Sequence, residues 1–389
     1  DMFKAKPQQF SKTDLGYIGT QHMALLHTDY GSIWCDTKNG HFWVLRPGNG
    51  GVSELGTDEN RHYMHAWFKS NMPFQVLQDF SNMTEADIDN NFKGIGIAMC
   101  FDKIYDRLLF TKKDYRKINK DVLWDADRKC FYIETKPTRT IVNVEDPRYF
   151  CNKSWTISYN FKRNFWIGYH AYCPNFYIPF SRHFQAGLNS YETEITNSSL
   201  WDFNLTNKSY QVFFVYFYPF EIDFFSKMDP VFTTLNGINY KLDVFRYHNE
   251  FDSYYVDNIN FKKGMVYNDR QCTGWLYFNQ KERNDMRLLY PFYDSEIGAF
   301  QIETCRTKGV WNFNQFYDVV NPLNDNIPFL LHNCSNTKTY LNLSAFKFVN
   351  SHEKNIPIRS EQVRVRLLND TYSNYKFVLK WVTFDKQTL

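Results

Sequence analysis

Turn-forming residues recur at short intervals along this chain and divide it into apolar runs that are too short for most helices. Within residues 16–46, the run QHMALLH precedes a turn at residues 29–31, SIWCD precedes a turn at residues 37–40, and HFWVL follows. Glycine after Tyr30 or Asn39 supplies the positive φ that tight hairpin turns need. Short, closely spaced strands of this kind are typical of a propeller blade. The pattern predicts an all-β fold.

Hairpin patterns continue further along the chain. GIGIAMCFD and RLLFTKK flank a turn at residues 103–106, and DVLWD and CFYIE flank a turn at residues 126–129. Segments with alternating apolar residues, such as YKLDVFRYH and VRVRLLND, recur in the C-terminal part, where NPLNDNIP marks a loop or sheet edge through Pro322 and Pro328. The chain is therefore predicted to be a propeller-like meander of short hairpins with a small helical insertion, followed by a β-sandwich-rich region.

These patterns predict three domains. They are a propeller-like set of blades at residues 1–146 with a helical insertion at about 56–92, an aromatic-rich β segment at 147–225, and a sandwich-like domain at 226–389. In the insertion, Thr57 is placed to cap a helix that begins at Asp58 and runs to residue 69. Its apolar face consists of Met64, Trp67 and Phe68. A second short helix is predicted to begin at Thr84.

Aromatic residues make up 19% of the chain, with 37 Phe and 27 Tyr. These side chains favour pleated, half-buried surfaces and are enriched at the centres of protein interfaces. The composition therefore favours a β-rich fold with a large surface that contacts a partner. Ordinary cores that happen to be rich in aromatic residues are the alternative.

The charge balance is close to neutral, because 45 Lys and Arg residues oppose 42 Asp and Glu residues, for a net charge of +3. Binding to nucleic acid needs a concentrated basic surface, so this balance argues against it as the main function. The basic stretch FTKKDYRKINK (residues 110–120) is interpreted as a solvated turn with its flanks, between two hairpins.

Eight cysteines are scattered without a Cys-x-x-Cys pair, which excludes the usual spacings of zinc-ribbon, redox and haem sites. Cys100 lies in the apolar run GIAMCF, where a thiol behaves as a small hydrophobic group. A disulfide framework is not expected in a chain of this length, and assembly in a reducing cytoplasm fits better.

Neither a signal peptide nor a membrane span is predicted. The N-terminal residues lack an apolar core, and the most apolar run (residues 210–225) is interrupted by Pro219, Glu221 and Asp223. The chain begins at Asp1 without an initiator methionine, so we expect either a partial chain or a product released from a longer precursor.

Histidine spacing gives one candidate metal pair, His62 and His65, which lie three residues apart on the predicted helix. A zinc site needs a third ligand, and the His-Glu-x-x-His pattern is absent. The pair is therefore interpreted as solvated or as part of an interface. His170 and His183 lie among aromatic residues and are expected to form hydrogen bonds in a core.

The sequence contains neither a Gly-x-Ser-x-Gly elbow nor a Gly-rich phosphate loop with Lys-Ser or Lys-Thr. Gly94 and Gly96 are too few for a dinucleotide fingerprint, and they open a strand. Asp36 precedes the turn TKNG, where a short carboxylate most often accepts bonds from its own backbone. Glycoside hydrolysis needs two carboxylates in a cleft, and no pair is singled out. The sequence thus assigns no catalytic, cofactor-binding or metal-ligating residue and no cofactor.

Four segments resemble blocks of crAss-like phage tail proteins: IGTQHMALLHTDYGSIWCDTKNGHFWVL, IAMCFDKIYDRLLFTKKDY, YFCNKSWTISYNFKRNFWIGYHAYCPNFYIPF and VRVRLLND. More narrowly, the chain is similar to the muzzle, or tail-nozzle, protein family of crAss-like bacteriophages. The similarity runs from about residue 11 to 380, and its most specific part is residues 155–158 followed by residues 166–177.

The resemblance implies a structural virion protein of the distal tail rather than an enzyme. Copies would form a ring, expected to be a hexamer, that closes or extends the genome-ejection channel. Phage DNA and ejected proteins would pass through it transiently. The resemblance also implies that the chain is the C-terminal processed part of its precursor, that it contacts the N-terminal part and other ring, hub or fibre proteins, and that it assembles in the host cytoplasm.

Two alternatives stay open. One is a tail module that binds host glycan, which predicts an exposed aromatic platform. The other is a glycan-cleaving enzyme, which predicts a carboxylate pair in a cleft.

Overall fold

Two units make up the chain, and they divide between residues 205 and 206. The computed structural model describes residues 21–47, 51–56, 62–135, 138–188, 199–204, 211–214, 216–227, 233–249, 252–268, 271–280, 292–294, 299–314, 316, 359–360, 362–370 and 375–388. The N-terminal unit is the described part up to residue 204, and the C-terminal unit is the described part from residue 211 onward. The loop residues Pro322 and Pro328, as well as Thr57 and Asp58, lie outside these ranges.

The N-terminal unit contains strands β1 to β16 and two α-helices. The strands are Leu25–Thr28, Gly31–Asp36, His41–Leu45, Val52–Glu54, Gly96–Asp102, Arg107–Lys113, Tyr115–Lys117, Val122–Asp125, Cys130–Thr135, Thr138–Val142, Phe150–Asn152, Trp155–Asn160, Phe165–His170, Phe176–Pro179, Phe184–Leu188 and Ser199–Phe203. Helix α1 is His62–Asn71 and helix α2 is Gln75–Asp79, and single 3₁₀ turns lie at His22–Ala24, Glu85–Asp87 and Asn91–Lys93.

The first sheet is a meander of four consecutive antiparallel strands, β1-β2-β3-β4, as in a propeller blade. Its hairpins form at the predicted turns, with Thr28 paired to Gly31 and Asp36 paired to His41. Gly31 has a φ of +127°, and a Cβ atom there would lie 2.2 Å from the carbonyl oxygen of Leu45. Glycine is therefore required where β2 begins.

The second sheet has the order β13-β12-β6-β5 and joins two hairpins that are distant in the sequence. Strand β12 pairs with β6, so that Ile157 lies opposite Phe110. The two sheets share one hydrophobic core, in which the Phe42 ring packs edge-on against Phe110 at 4.7 Å and against Trp166 at 4.8 Å between centroids. The predicted boundary after residue 146 therefore falls between strands of one sheet and does not coincide with the division between the units.

The helices lie within the predicted insertion. Met64 and Trp67 are half-buried and Phe68 is buried, so the apolar face expected for α1 is confirmed. The second predicted helix begins where expected, with Thr84 at its N-cap, but it is only the 3₁₀ turn Glu85–Asp87 and not an α-helix. There, the Asp87 carboxylate accepts hydrogen bonds from both the amide and the hydroxyl of Thr84, so the two residues cap this single turn.

The C-terminal unit contains strands β17 to β29: Val212–Phe213, Tyr216–Phe217, Phe220–Lys227, Thr233–Asn249, Asp252–Tyr255, Lys263–Tyr267, Leu276–Gln280, Phe292–Asp294, Ala299–Thr307, Val310–Asn314, Arg359–Ser360, Gln362–Asn369 and Tyr375–Thr388. Apart from the hairpin β17–β18, they form one extensive sheet with the path β19-β28-β22-β23-β25-β26-β20-β21. Alternating residues of these strands, among them Ile238, Tyr240, Phe313 and Val365, enclose its core. Strands dominate both units, which confirms the predicted all-β class.

Candidate functional site

Three side chains with metal-binding atoms converge in the N-terminal unit. The Nδ1 atoms of His41 and His65 lie 2.5 and 3.7 Å from Glu54 Oε1, and the imidazole rings are 4.2 Å apart between centroids. One ligand atom from each residue lies within 4.8 Å of the others. We call this group the His41–Glu54–His65 cluster.

The hairpin β3–β4 brings His41 and Glu54 together. Glu54 pairs with Trp43 across the two strands, so it lies diagonally opposite His41 on the same face of the sheet. His41 is the first residue of β3 and follows the turn that ends at Gly40. The predicted turn at residues 37–40 therefore sets the position of His41.

Helix α1 contributes His65, and ring contacts of Trp67 and Phe68 hold the helix against the strands. The Trp67 ring packs against Trp155 at 4.8 Å between centroids, and the Phe68 ring packs against Phe42 at 4.9 Å. Gly40 has a φ of +77°, and a Cβ atom there would lie 2.7 Å from the Phe68 carbonyl carbon. The turn before β3 therefore approaches the helix backbone as closely as only glycine allows.

The cluster lies on a cleft of about 270 Å³. Met64, Phe68 and Trp166 line its apolar part. The His41 and Glu54 side chains are mostly shielded, at 25% and 21% exposure, whereas the His65 side chain is 45% exposed. Two imidazole nitrogens and one carboxylate oxygen facing an accessible cleft can either exchange protons with each other or ligate a divalent ion.

Sequence reasoning found only one member of the cluster. It paired His65 with His62, whose side chain lies outside the described part of the structure. It missed His41 and Glu54, because no local spacing connects residues that lie on a hairpin and on a separate helix. The sequence signal that could have revealed them was the register of the hairpin β3–β4, which places Glu54 next to the strand that begins at His41.

The two histidines predicted to lie in a core, His170 and His183, occupy different surroundings. His170 Nε2 lies 2.9 Å from Ser158 Oγ, and burial lowers the pKa of His170 to about 3 with a contribution from Arg107. The ring is therefore neutral at physiological pH, as expected for a histidine in a core. His183 stacks on Phe180 at 4.8 Å between centroids and lies 3.5 Å from Asp202. Its side chain is 35% exposed, so the predicted core position is wrong for His183.

Asp36 and the glycines of residues 94–96 take the structural roles that the sequence predicts. The Asp36 carboxylate accepts hydrogen bonds from the amides of Lys38 and Asn39, each at 3.0 Å. Gly94 has a φ of +84° and ends a 3₁₀ turn, and Gly96 begins β5.

The interpretation of the basic stretch as solvated is wrong for its first two lysines. Lys112 and Lys113 are buried, with Nζ atoms 2.6 Å from Asp114 Oδ2 and 2.8 Å from Glu145 Oε1. Both lie in β6, an inner strand of the second sheet in which every residue after Arg107 is buried, and a buried charge is tolerated only with a partner. Neither ammonium group is therefore available for phosphate.

A second group of charges lies in the C-terminal unit. Arg366 donates to Asp223 at 2.8 Å and lies 3.3 Å from Glu221, and Tyr267 donates to the same Asp223 oxygen at 2.9 Å. Partial burial raises the pKa of Glu221, whose side chain is still 42% exposed, and the Arg366 charge opposes that effect. One guanidinium thus holds both carboxylates on the same face of β19, an arrangement typical of an ion-pair network within a sheet.

An apolar surface lies on the outer face of the three-stranded sheet β10-β9-β8. Its inner face contributes Trp124, Phe131 and Val142 to the core. On the outer face, Leu123, Tyr132 and Ile141 stand side by side in one cross-strand row. Leu123 is 41% and Ile141 is 70% exposed. We call these three residues the Leu123–Tyr132–Ile141 row.

No protein-family model matches this chain, and no curated protein is significantly similar to it. Among the described residues, neither α-helix has the length and apolar character that crossing a bilayer requires.

Proposed function

We propose that this chain is a structural subunit of a bacteriophage tail and that its copies assemble into the nozzle ring at the distal end of the genome-ejection channel. The proposal rests on the resemblance to the muzzle family and on the surface chemistry of the N-terminal unit. Copies of the chain, the upstream part of its precursor and neighbouring tail proteins are the partners it implies.

The observation that carries the proposal is the Leu123–Tyr132–Ile141 row. Exposed apolar side chains are ordinary when scattered, but Leu123 and Ile141 flank the half-buried Tyr132 in register on one sheet face, and the three form a surface suited to protein contact. Arg139 lies over the Tyr132 ring at 4.6 Å and approaches Asp125 at 3.4 Å, so a polar rim borders the row. An apolar centre with a polar rim is typical of protein–protein interfaces.

Ring closure explains why such a row would be retained. A contact between two different surfaces of identical subunits produces a closed ring when its rotation closes. The row on one copy would then be covered by another surface of the next copy. Because the Leu123 and Ile141 side chains on this face are exposed, a neighbouring subunit can reach the row.

The glycan-binding alternative gains no support from the two consecutive exposed tyrosines of β21. It predicts an exposed aromatic platform, and Tyr254 and Tyr255 are indeed 46% and 45% exposed. Consecutive residues of a strand point to opposite faces, however, so these two rings do not form one platform. For the glycan-cleaving alternative, Glu221 and Asp223 are an unsuitable pair, since both are held by Arg366.

Mass photometry of the purified chain and of tails isolated from virions tests the proposal. We expect a ring-sized species in both samples, and N-terminal sequencing of tails should find this chain among the tail proteins. A chain that stays monomeric at high concentration and is missing from tails would exclude the nozzle function. Binding of the monomer to host polysaccharide would then favour the glycan module.

A double variant tests the row itself. Leu123→Asp with Ile141→Asp should abolish the ring and leave the circular-dichroism spectrum unchanged, since both side chains are exposed. Ile104→Asp is the matched control, because Ile104 is 51% exposed in a hairpin turn outside the row. Rings formed by the double variant as readily as by the control would show that the row is not the contact.

A further inference from the structure

We propose that His41, Glu54 and His65 bind one divalent transition-metal ion, with zinc as the best match to the donor set. The site lies within the N-terminal unit and is independent of the proposed tail function. Its three ligands come from the two strands of one hairpin and from helix α1.

The spacing of the ligand atoms fits an ion after small side-chain movements. A tetrahedral ion with bonds of about 2.0–2.1 Å separates its ligand atoms by about 3.3 Å. The separations from Glu54 Oε1 are 2.5 Å to His41 Nδ1 and 3.7 Å to His65 Nδ1, so one must lengthen and the other shorten by less than 1 Å. The ligand nitrogens of the two histidines lie within 4.8 Å of each other and must approach by up to about 1.5 Å. Glu54 already lies between the two imidazoles and can supply an anionic oxygen to an ion that both rings reach.

The backbone around the cluster is held firmly enough to keep this arrangement. The strand register fixes Glu54 relative to His41, and the close approach of Gly40 to Phe68 fixes α1 against the hairpin. Sites built on strands and helices hold their ligands more accurately than sites on loops. Only the side-chain torsions need to adjust when an ion binds.

The donor set determines which ion is preferred. Imidazole nitrogen suits zinc, copper, iron and nickel, whereas magnesium and calcium prefer sites made of oxygen alone. Two histidines and one glutamate form a set found in zinc sites that keep a fourth position open. That position would face the cleft beside Met64 and Trp166 and would hold water in the isolated chain.

Binding would also tie α1 to the hairpin β3–β4. An ion that binds the folded chain and not the unfolded chain lowers the unfolding equilibrium constant by the factor 1 + [L]/Kd. At a free zinc concentration one hundred times Kd, this factor is about 100. The site would thus stabilise the N-terminal unit in a zinc-dependent manner.

The test uses the whole chain without an affinity tag, dialysed against chelator and then titrated with zinc alone by calorimetry. We expect one zinc ion per chain, a visible spectrum of tetrahedral type when cobalt replaces zinc, and weaker binding at acidic pH because the ligands must lose their protons. His65→Ala and Glu54→Gln should each weaken binding by more than the 10–100-fold that loss of an outer-shell partner costs.

Two controls make the outcome unambiguous. His27→Ala removes an exposed histidine of β1, and Glu85→Gln removes an exposed carboxylate paired with Lys38, both outside the cluster. Each should bind zinc as the parent chain does. The proposal is overturned if the parent chain takes up no zinc, or if His65→Ala binds it with the same stoichiometry and affinity. Because His65 is exposed, its variant should fold, which circular dichroism checks.

Discussion

Replacing Lys112 by methionine should destabilise the N-terminal unit more than most substitutions. The Lys112 ammonium is buried and donates to the Asn71 and Pro73 carbonyls, at 2.9 and 3.1 Å, and to Asp114 at 2.6 Å. Asp114 is fully buried and also accepts from the amides of Gln75 and Val76, the first two residues of α2. The pair therefore joins the end of α1 to the start of α2.

The expected loss of stability depends on the Asp114 charge that remains after the substitution. Methionine keeps most of the length of the lysine stem but removes the cation, so the Asp114 carboxylate stays buried without a counter-charge. Breaking a buried pair in this way costs about 3–5 kcal/mol. Lys162→Met is the matched control, because Lys162 is 76% exposed and lies 3.6 Å from Asp106, and exposed pairs contribute about 0–1 kcal/mol.

Hydrogen–deuterium exchange gives a local readout. Amides of Gln75 and Val76 should exchange faster in Lys112→Met by a factor between about one hundred and a few thousand, which corresponds to 3–5 kcal/mol. Peptides from β28 in the C-terminal unit serve as an internal reference and should not change. Urea unfolding followed by circular dichroism should show an earlier transition for the same variant.

A double variant tests the electrostatic reasoning directly. Asp114→Asn removes the buried carboxylate charge that Lys112→Met leaves unpaired, and it keeps an oxygen that can accept hydrogen bonds from the α2 amides. Lys112→Met combined with Asp114→Asn should therefore be more stable than Lys112→Met alone, a strong departure from additivity. If the two substitutions simply add, or if Lys112→Met behaves like Lys162→Met, the buried charge does not explain the stability of this region.

Three further outcomes are expected. Gly31→Ala should lower the free energy of unfolding in urea by at least about 1–3 kcal/mol, because its Cβ would lie 2.2 Å from the Leu45 carbonyl oxygen. Gly168→Ala in β13 is the control and should be nearly neutral, since no atom outside its immediate neighbours lies within 4 Å of its Cβ. Equal effects of the two substitutions would contradict this reasoning. His170 has a folded-state pKa of about 3, below its ordinary value of 6.5, so the folded chain binds fewer protons than the unfolded chain between these values. Stability should fall as pH drops from about 6.5 toward 3, by at most about 1.4 kcal/mol per pH unit, and urea titrations of His170→Gln should lose that component; an unchanged slope would refute the assignment. Asp36→Ala should cost about 1–3 kcal/mol in thermal unfolding, since two amides of its turn lose their acceptor, and Asp36→Asn should recover most of that cost.

The hairpin turns and the apolar face of α1 could be predicted from the sequence alone. The turns at residues 29–31, 37–40 and 103–106 lie where glycine, asparagine and aspartate predict them, and Asp36 accepts the bonds expected of it. The apolar face of α1 is likewise set by residues only a few positions apart. These features depend on contacts within about ten residues, so the pattern of residue types is sufficient to determine them.

Pairing between distant segments was decided by the tertiary structure. Strand β6 pairs with both β5 and β12, and this second pairing makes β6 central and forces Lys112 and Lys113 to be buried with partners. A basic stretch with this composition is usually solvated, so only the position of its strand in the sheet reveals the burial.

The same distinction applies to the candidate site. His65 could be recognised from its helical position, but its partners His41 and Glu54 depend on a strand register and on how the helix packs. Turn and strand preferences act locally, whereas the choice among possible long-range contacts depends on burying the whole core at once. The sequence therefore determined the hairpins and their turns, and only the packed structure decided which hairpins meet and which side chains form a site.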